Sequence, residues 1–211
     1  MANFIDYLLP HIWSDNDDWP YNNTRAARER VAGSKFRFYP WDTEFSFGSH
    51  PVTYDTIANT LSSTAPPWGT TDYQLLFNAL KRSPEFRLLF ADRVHRAFFN
   101  EGPLTDERIR ATYTALRLRL SPSIPGFSDV ITPWINSRRR YVTNAFQKAG
   151  FLASSNAPVL NLFGGRVIPG TRLTMSRKTG TIWYTTNGMD PRVAFSSEVA
   201  PQARRYSDAL L

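Results

Sequence analysis

The sequence predicts an α+β protein with a mostly helical lobe over residues 1–150 and a small, incomplete β-sandwich over residues 159–211. Before Gly150, apolar residues recur at the three- and four-residue spacing of amphipathic helices. After Gly150, glycine-containing turn pairs separate short runs of alternating apolar residues, which is typical of antiparallel strands. Residues 151–158 are the expected linker between the two domains.

The first part of the chain is expected to hold one helix, one strand and two loops. Residues 3–13 predict an apolar helix, and Ser14–Asp18 predicts the polar loop that follows it. The run Lys35–Tyr39 alternates with period two, which predicts a strand with its two phenylalanines on one face. Residues 49–71 are rich in Pro, Ser, Thr and Gly and predict a long irregular connection, a kind of segment that tends to be functional or mobile.

Four more helices are expected before Gly150. Asp72, Ser83 and Thr105 provide N-cap signals for three of them, and the fourth is expected at about residues 128–148. Each carries an apolar stripe that indicates core packing. The stripes are Leu75, Leu76, Ala79 and Leu80; Phe86, Leu89, Phe90, Val94 and Phe98; Ile109, Tyr113, Leu116 and Leu120; and Ile131, Trp134, Ile135, Tyr141, Val142 and Phe146.

The net charge of +7 invites a nucleic-acid interpretation, but the basic residues are spread along the whole chain. The densest basic run, Ser137–Tyr141, lies on a predicted helix, where consecutive side chains point in different directions. It is therefore expected to be a solvated face, and no specific nucleic-acid partner is expected.

Composition excludes several other classes of protein or site. No cysteine is present, which excludes disulfides, thiolate metal sites and a cysteine nucleophile. No stretch reaches the roughly 20 apolar residues of a membrane span, and Met1–Pro10 lacks the features of a signal peptide. His11, His50 and His95 lack metal-ligand spacing and are expected to be packing or surface residues.

Two polar motifs have a residue order that suits phosphoryl transfer. They are Asp18-Trp-Pro-Tyr-Asn-Asn23 and Phe38-Tyr-Pro-Trp-Asp42-Thr-Glu-Phe-Ser-Phe-Gly48. A site of the protein-kinase type uses a carboxylate for the acceptor hydroxyl, an amide oxygen five positions later for a metal ion, and a second carboxylate after a strand. Asp18, Asn23 and Asp42 stand in this order.

A structural interpretation stays open for each of these residues taken alone. Asp18 precedes Trp19-Pro20 and is also a typical turn or cap residue. Asn22 and Asn23 are residue types that tolerate left-handed backbone, and Asp42 also suits a turn after the strand. Two ordered motifs, each flanked by aromatic residues, favour the catalytic interpretation.

The two motifs together resemble the CotH kinase family, atypical kinases named after spore coat protein H. That family carries an Asp-Trp-Pro-x-Asn-Asn block followed by a Trp-Asp-x-Asp-Phe-x-Phe-Gly block. The chain matches the first block throughout and the second except at Glu44, where the family usually has Asp. The resemblance covers about the first 150 residues.

The resemblance implies that residues 1–150 are the C-terminal part of an atypical protein-kinase-like fold. It implies transfer of the γ-phosphate of ATP to Ser or Thr of a surface or secreted protein, with Mg²⁺ or Mn²⁺. Asp18 would be the catalytic carboxylate, Asp42 would be the principal metal ligand and Asn23 would be a second metal ligand. Asp42 and Asn23 would also contact the nucleotide. Asn22 is the alternative to Asn23, and Glu44 is a further candidate metal ligand.

A kinase also needs a Gly-rich loop and a phosphate-binding Lys, and the residues before Asp18 supply neither. The chain is therefore expected to be a fragment of a longer protein that binds nucleotide weakly or not at all on its own. The competing function is a non-catalytic surface or adhesion protein with a kinase-like structural lobe.

The second domain resembles the chitobiase/β-hexosaminidase C-terminal type of β-sandwich, on the runs Gly165–Gly170 and Gly180–Arg192. Its expected strands are Arg166–Ile168, Thr171–Met175 and Thr181–Thr185. The resemblance implies an extracytoplasmic or cell-surface location for the full-length protein. Trp183 and Tyr184 are candidates for carbohydrate contact, although alternating strand aromatics more often form core.

Overall fold

Helix α1 (Ala2–Ser14) packs against one strand and two further helices in the first of two compact units, residues 1–152 and 153–211. The computed structural model describes residues 1–63, 69–121, 123–124, 129, 131–152 and 157–210. The further elements of the first unit are β1 (Thr24–Ala27), β2 (Arg37–Pro40), a π-helical turn (Ile57–Leu61), α2 (Asp72–Leu80), α3 (Pro84–Phe98), α4 (Asp106–Leu120) and α5 (Ile131–Lys148). This mixture of helices and short strands confirms the α+β class.

Strands β1 and β2 form an antiparallel pair that packs on α1 through Phe38. The ring of Phe38 lies 4.7 Å from that of Phe4, and Asn3 accepts a hydrogen bond from the Phe38 N–H at 2.7 Å. Phe36 precedes the strand, is 56% exposed and lies beneath the guanidinium of Arg28. The expectation that both phenylalanines share one face is therefore wrong, because pairing with β1 begins only at Arg37.

A cluster of phenylalanines joins α2, α3 and α5. The ring of Phe90 stacks on that of Phe151 at 4.3 Å and lies 5.7 Å from that of Phe146. Phe77 and Phe86 close the cluster from the other side, and all five rings are buried. Phe151 was expected in the linker, but it belongs to the core of the first unit. Residues 153–156 of the expected linker lie outside the described residues.

Side-chain capping begins helices α2 and α3, whereas Thr105 precedes α4 without a side-chain cap hydrogen bond. Ser83 accepts a hydrogen bond from the Phe86 N–H, as its capping signal predicted. Helix α2 is capped by Thr71 rather than by Asp72: Thr71 and Gln74 form a reciprocal capping box. Asp72 is instead the first helical residue, where its charge suits the helix dipole.

Two of the expected apolar stripes are wrong. In α2, Gln74 donates to the Thr60 carbonyl at 2.7 Å, which turns Gln74 and Phe77 inward and leaves Leu75 and Leu76 exposed. Helix α4 has no buried residue, because α5 is its main contact, and it leaves Leu116, Leu118 and Leu120 exposed. The stripe of α3 is confirmed by the burial of Phe86, Phe90, Val94 and Phe98.

The connection expected to be irregular over residues 49–71 contains the π-helical turn, whose Ile57 and Leu61 are buried in the core. Residues 64–68 of that connection lie outside the described part of the chain. The expected polar loop after the first helix is buried at Ser14, Asp15 and Asn16.

Arg138 on α5 explains why these polar segments are inside. Its guanidinium is completely buried and donates to the carbonyls of Ile12 and Trp13, at the end of α1, and of Val52 and Tyr54. The last carbonyls of a helix have no intrahelical hydrogen-bond donor. Arg138 provides N–H donors for two of these carbonyls in α1, those of Ile12 and Trp13. Burial lowers the pKa of Arg138 to about 10, and the group stays charged at neutral pH. The expected solvated face is therefore wrong at this residue.

The second unit is built from two-residue strand pairs. Strand β3 (Val159–Leu160) pairs with β4 (Met175–Ser176), and β5 (Trp183–Tyr184) pairs with β6 (Arg204–Arg205). No sandwich is formed by the described residues 157–210. Residues 166–168 are not a strand, whereas β5 lies within the strand expected at 181–185.

Within the described residues, no helix combines the length and the apolar character that crossing a bilayer requires.

Replacing Arg138 by Ala is expected to lower the free energy of unfolding of the protein by about 3–5 kcal/mol, because buried carbonyls lose a charged donor. Arg138→Lys should recover only part of the loss, since an ammonium lacks the planar fork. Urea unfolding monitored by circular dichroism measures the change. The neighbouring, exposed Arg140→Ala is the control and should stay within about 0.5 kcal/mol of the wild type.

Phe151→Ala is expected to destabilise the first unit by about 3–5 kcal/mol, because it opens a cavity among four other phenylalanines. Thermal denaturation compares Phe151→Ala with Phe36→Ala. The Phe36 ring is largely exposed, so its removal should change the melting temperature little. Equal melting temperatures for the two variants would contradict the placement of Phe151 in the core.

Candidate functional site

The loop after α1 carries Asp18 on a rigid base. Asp15 ends the helix in a left-handed conformation, and the Asp18 carbonyl accepts the N–H groups of Tyr21 and Asn22. Trp19 is completely buried, and its indole N–H donates to the Tyr7 hydroxyl at 2.6 Å. Because Trp19 is adjacent in the chain, its burial fixes the position of the Asp18 backbone.

The β-hairpin brings Asn23 to Asp42. Asn23 directly precedes β1 and Asp42 follows β2, and the register pairs Thr24 with Pro40 at the open end of the hairpin. Asn23 and Asp42 both adopt positive φ, at 55° and 47°. Left-handed backbone is uncommon for residues other than glycine, and Asn and Asp adopt it more readily than most.

One side-chain amide connects the two motifs. Asn23 Nδ2 lies 2.7 Å from Asp18 Oδ2 and 3.2 Å from the Asp42 carbonyl oxygen. The second carboxylate oxygen of Asp18, Oδ1, is buried and has no hydrogen-bond partner among the described residues. Residues from the two motifs therefore meet at one place. Asn22 instead lines the neighbouring cleft.

Negative charge accumulates at this junction. Partial burial, followed by the charges of Asp42 and Asp17, raises the pKa of Asp18 above its ordinary value. A hydrogen bond with Asp42 raises the pKa of Glu44, which is fully exposed. Acidic side chains gathered in this way are expected to bind a cation or a proton readily.

A cleft of about 500 Å³ opens beside Asp18 and is lined by Asp17, Asp18, Tyr21, Asn22 and Thr71. It offers space for an acceptor group next to the Asp18 carboxylate.

The oxygen ligands at the junction suit a hard cation such as Mg²⁺, which proteins usually hold through one or two carboxylates together with substrate phosphates. Asp42, Glu44 and the carboxamide of Asn23 are of this chemical type. Asn23 directs its nitrogen at both neighbours, so ligation through its oxygen requires the amide to turn. Within the described residues, no group of three or more His, Asp or Glu side chains is arranged to hold a metal ion.

The three histidines lie in aromatic contacts. His11 stacks on Trp19, and burial lowers its pKa to about 4. His95 stacks on Phe99. His50 stacks on Tyr54 and also contacts two aspartates near Asp18, a feature that sequence reasoning missed.

Arg138 was missed as well, and a signal for it was present. It lies four residues after Trp134 and four before Val142, which places it on the buried face of α5. No local pattern marks His50, because its partners are 33 and 35 positions away in the chain (Asp17 and Asp15).

A helical lobe with two acidic motifs that meet at the open end of a hairpin is typical of a kinase-like class of protein. The family model described as CotH kinase protein matches residues 1–142, and the chain therefore belongs to the CotH kinase family. Both motifs lie inside the match. No curated protein and no solved structure matches the chain. The chitobiase-type resemblance of residues 159–211 is not supported by any of these comparisons.

Asp18→Asn is expected to raise the free energy of unfolding at neutral pH. A raised pKa means that the ionised carboxylate is less stable in the folded protein than in the unfolded chain, so removing the charge removes that cost. The gain should shrink as the pH falls through the titration of the carboxyl group, because protonated Asp18 no longer carries the cost. Urea unfolding of the wild type and of Asp18→Asn at several pH values measures the difference in free energy of unfolding. A difference that does not change with pH would contradict the prediction.

Proposed function

We propose that this chain contributes the catalytic carboxylate and the metal ligands of an atypical protein kinase, which transfers the γ-phosphate of ATP to Ser or Thr of a protein. Membership of the CotH kinase family is established by the match over residues 1–142. The acceptor, the metal and the roles of individual residues are the proposal.

The observation that carries the proposal is the contact of the Asn23 amide with both Asp18 and Asp42. These three residues are separated by up to 24 positions; the hairpin register brings Asn23 to Asp42, and a hydrogen bond joins Asn23 to Asp18. Their order and chemical types are those that phosphoryl transfer of the kinase type requires.

Asp18 is proposed to orient the acceptor hydroxyl and to take its proton. Its partial burial and raised pKa favour this role, since a carboxylate with a raised pKa is a stronger base. Its Oδ2 atom is held by Asn23, whereas Oδ1 has no hydrogen-bond partner in the described residues and is the atom proposed to receive the proton. The adjacent cleft is proposed to admit the Ser or Thr side chain.

Asp42, with Asn23 and Glu44, is proposed to hold the divalent cation, Mg²⁺ or Mn²⁺. When bound, ATP supplies the phosphoryl group, and the cation neutralises charge on the phosphates. Glu44 keeps the charge of the Asp that the family usually has here, with a side chain longer by one methylene group. Both Asn23 and Asp42 have left-handed backbone, a conformation that is uncommon outside glycine and that clusters at functional sites.

The experiment measures phosphate transfer from radiolabelled ATP to protein, together with Mn²⁺ binding followed by electron paramagnetic resonance. Asp18→Ala is expected to lower the transfer rate by about 100-fold or more while Mn²⁺ binding persists. Asp42→Ala is expected to lose both, because it removes the principal metal ligand. Asp190→Ala, an exposed aspartate in the second unit, is the control and should change neither.

Transfer that is unaffected by both Asp18→Ala and Asp42→Ala would end the kinase proposal. If the wild type shows neither transfer nor Mn²⁺ binding, also in any longer form of the protein that contains this chain, the non-catalytic function is favoured instead.

A further inference from the structure

His50 connects two segments that are far apart in the sequence. Its Nδ1 lies 3.0 Å from Asp15 Oδ2, and its Nε2 lies 3.5 Å from Asp17 Oδ1. The ring also stacks on Tyr54, with 3.8 Å between ring centres and 4° between ring planes. Asp15 and Asp17 belong to the loop that carries Asp18, whereas His50 and Tyr54 belong to the segment after the second motif.

We propose that His50 is a positioning residue for Asp18: it bridges Asp15 and Asp17 and so holds the loop of residues 15–18 against the segment of residues 50–56. The bridge stands on its own geometry. Its consequence for phosphate transfer rests on the function proposed for Asp18.

The chemistry of the three groups makes the bridge selective. Carboxylates at neutral pH only accept hydrogen bonds, so both ring nitrogens of His50 must donate if both aspartates are engaged. A residue with one donor, or with none, cannot replace it.

The side of the bridge at Asp15 is anchored in the core. Asp15 is buried, and its Oδ1 atom accepts the Thr56 hydroxyl at 2.9 Å. Arg138 Nη2 lies 3.1 Å from the same Thr56 oxygen and also binds the end of α1. His50 extends this fixed network outward to Asp17, whose side chain is 45% exposed.

Asp17 is the residue immediately before Asp18, so a shift of Asp17 displaces the proposed catalytic carboxylate. Misplacement of a reacting group by about 1 Å costs about 100-fold in rate. The proposed metal ligands Asn23 and Asp42 lie at the open end of the hairpin and are held by strand pairing instead. Loss of the bridge should therefore lower kcat and leave the KM for ATP nearly unchanged.

A pair of variants separates donation from stacking. His50→Phe keeps a flat ring against Tyr54 and removes both donors. His50→Arg keeps a planar, charged group with several N–H donors. Amide hydrogen exchange of residues 14–18 and 50–56 is measured in the protein, alongside kcat and KM.

We expect faster exchange in both segments and a kcat lower by about 10- to 100-fold for His50→Phe, with recovery in His50→Arg. Asp17→Asn changes an exposed residue, so it tests the bridge from its other end even if His50→Phe fails to fold; it should accelerate exchange in residues 50–56. Unchanged exchange in His50→Phe, or in Asp17→Asn, would overturn the proposal. If the wild type transfers no phosphate, the exchange data still decide on the bridge, and only the kinase proposal fails.

Discussion

The buried guanidinium of Arg138 is the interaction on which the rest of the first unit depends. Its N–H groups bind carbonyls from the end of α1 and from residues 52 and 54, so one side chain joins α5 to both segments that flank the candidate site. Carbonyls buried without a donor are costly, and removing the guanidinium would leave several at once. The burial of Asp15 and Thr56 follows from this junction, because both lie between the two segments that Arg138 joins.

A second constraint, the register of a four-residue hairpin, forms the site itself. Pairing of Thr24 with Pro40 leaves Asn23 and Asp42 at the same open end, and the burial of Trp19 places Asp18 beside them. Neither strand makes a large contribution to the core. Their role is geometric: they bring the side-chain amide of Asn23 to the backbone carbonyl of Asp42, which lies 19 positions away in the chain.

Several of these features were predictable from the sequence, and the reasons for the failures are physical. The capping signal at Ser83 and the stripe of α3 were correct because both depend on neighbours within four residues. The apolar stripe predicted for α2 was wrong because Gln74 donates a hydrogen bond to the distant Thr60 carbonyl and turns that face inward. The stripe predicted for α4 was wrong because the burial of a helix face depends on which helices pack against it. The order of Asp18, Asn23 and Asp42 pointed to one place in the fold, whereas His50 and Arg138 make long-range contacts that leave little or no local pattern. Residues 159–211 were expected to form a sandwich, but their described strands are only two residues long.

The enclosure of Arg138 also bears on how the protein responds to its surroundings. Dissolved ions screen exposed charges over about 10 Å at moderate ionic strength, but they do not reach a cation whose neighbours are interior carbonyl dipoles. The surface electrostatics of a chain with a net charge of +7 therefore weaken when salt is added, while the junction that organises its interior stays the same.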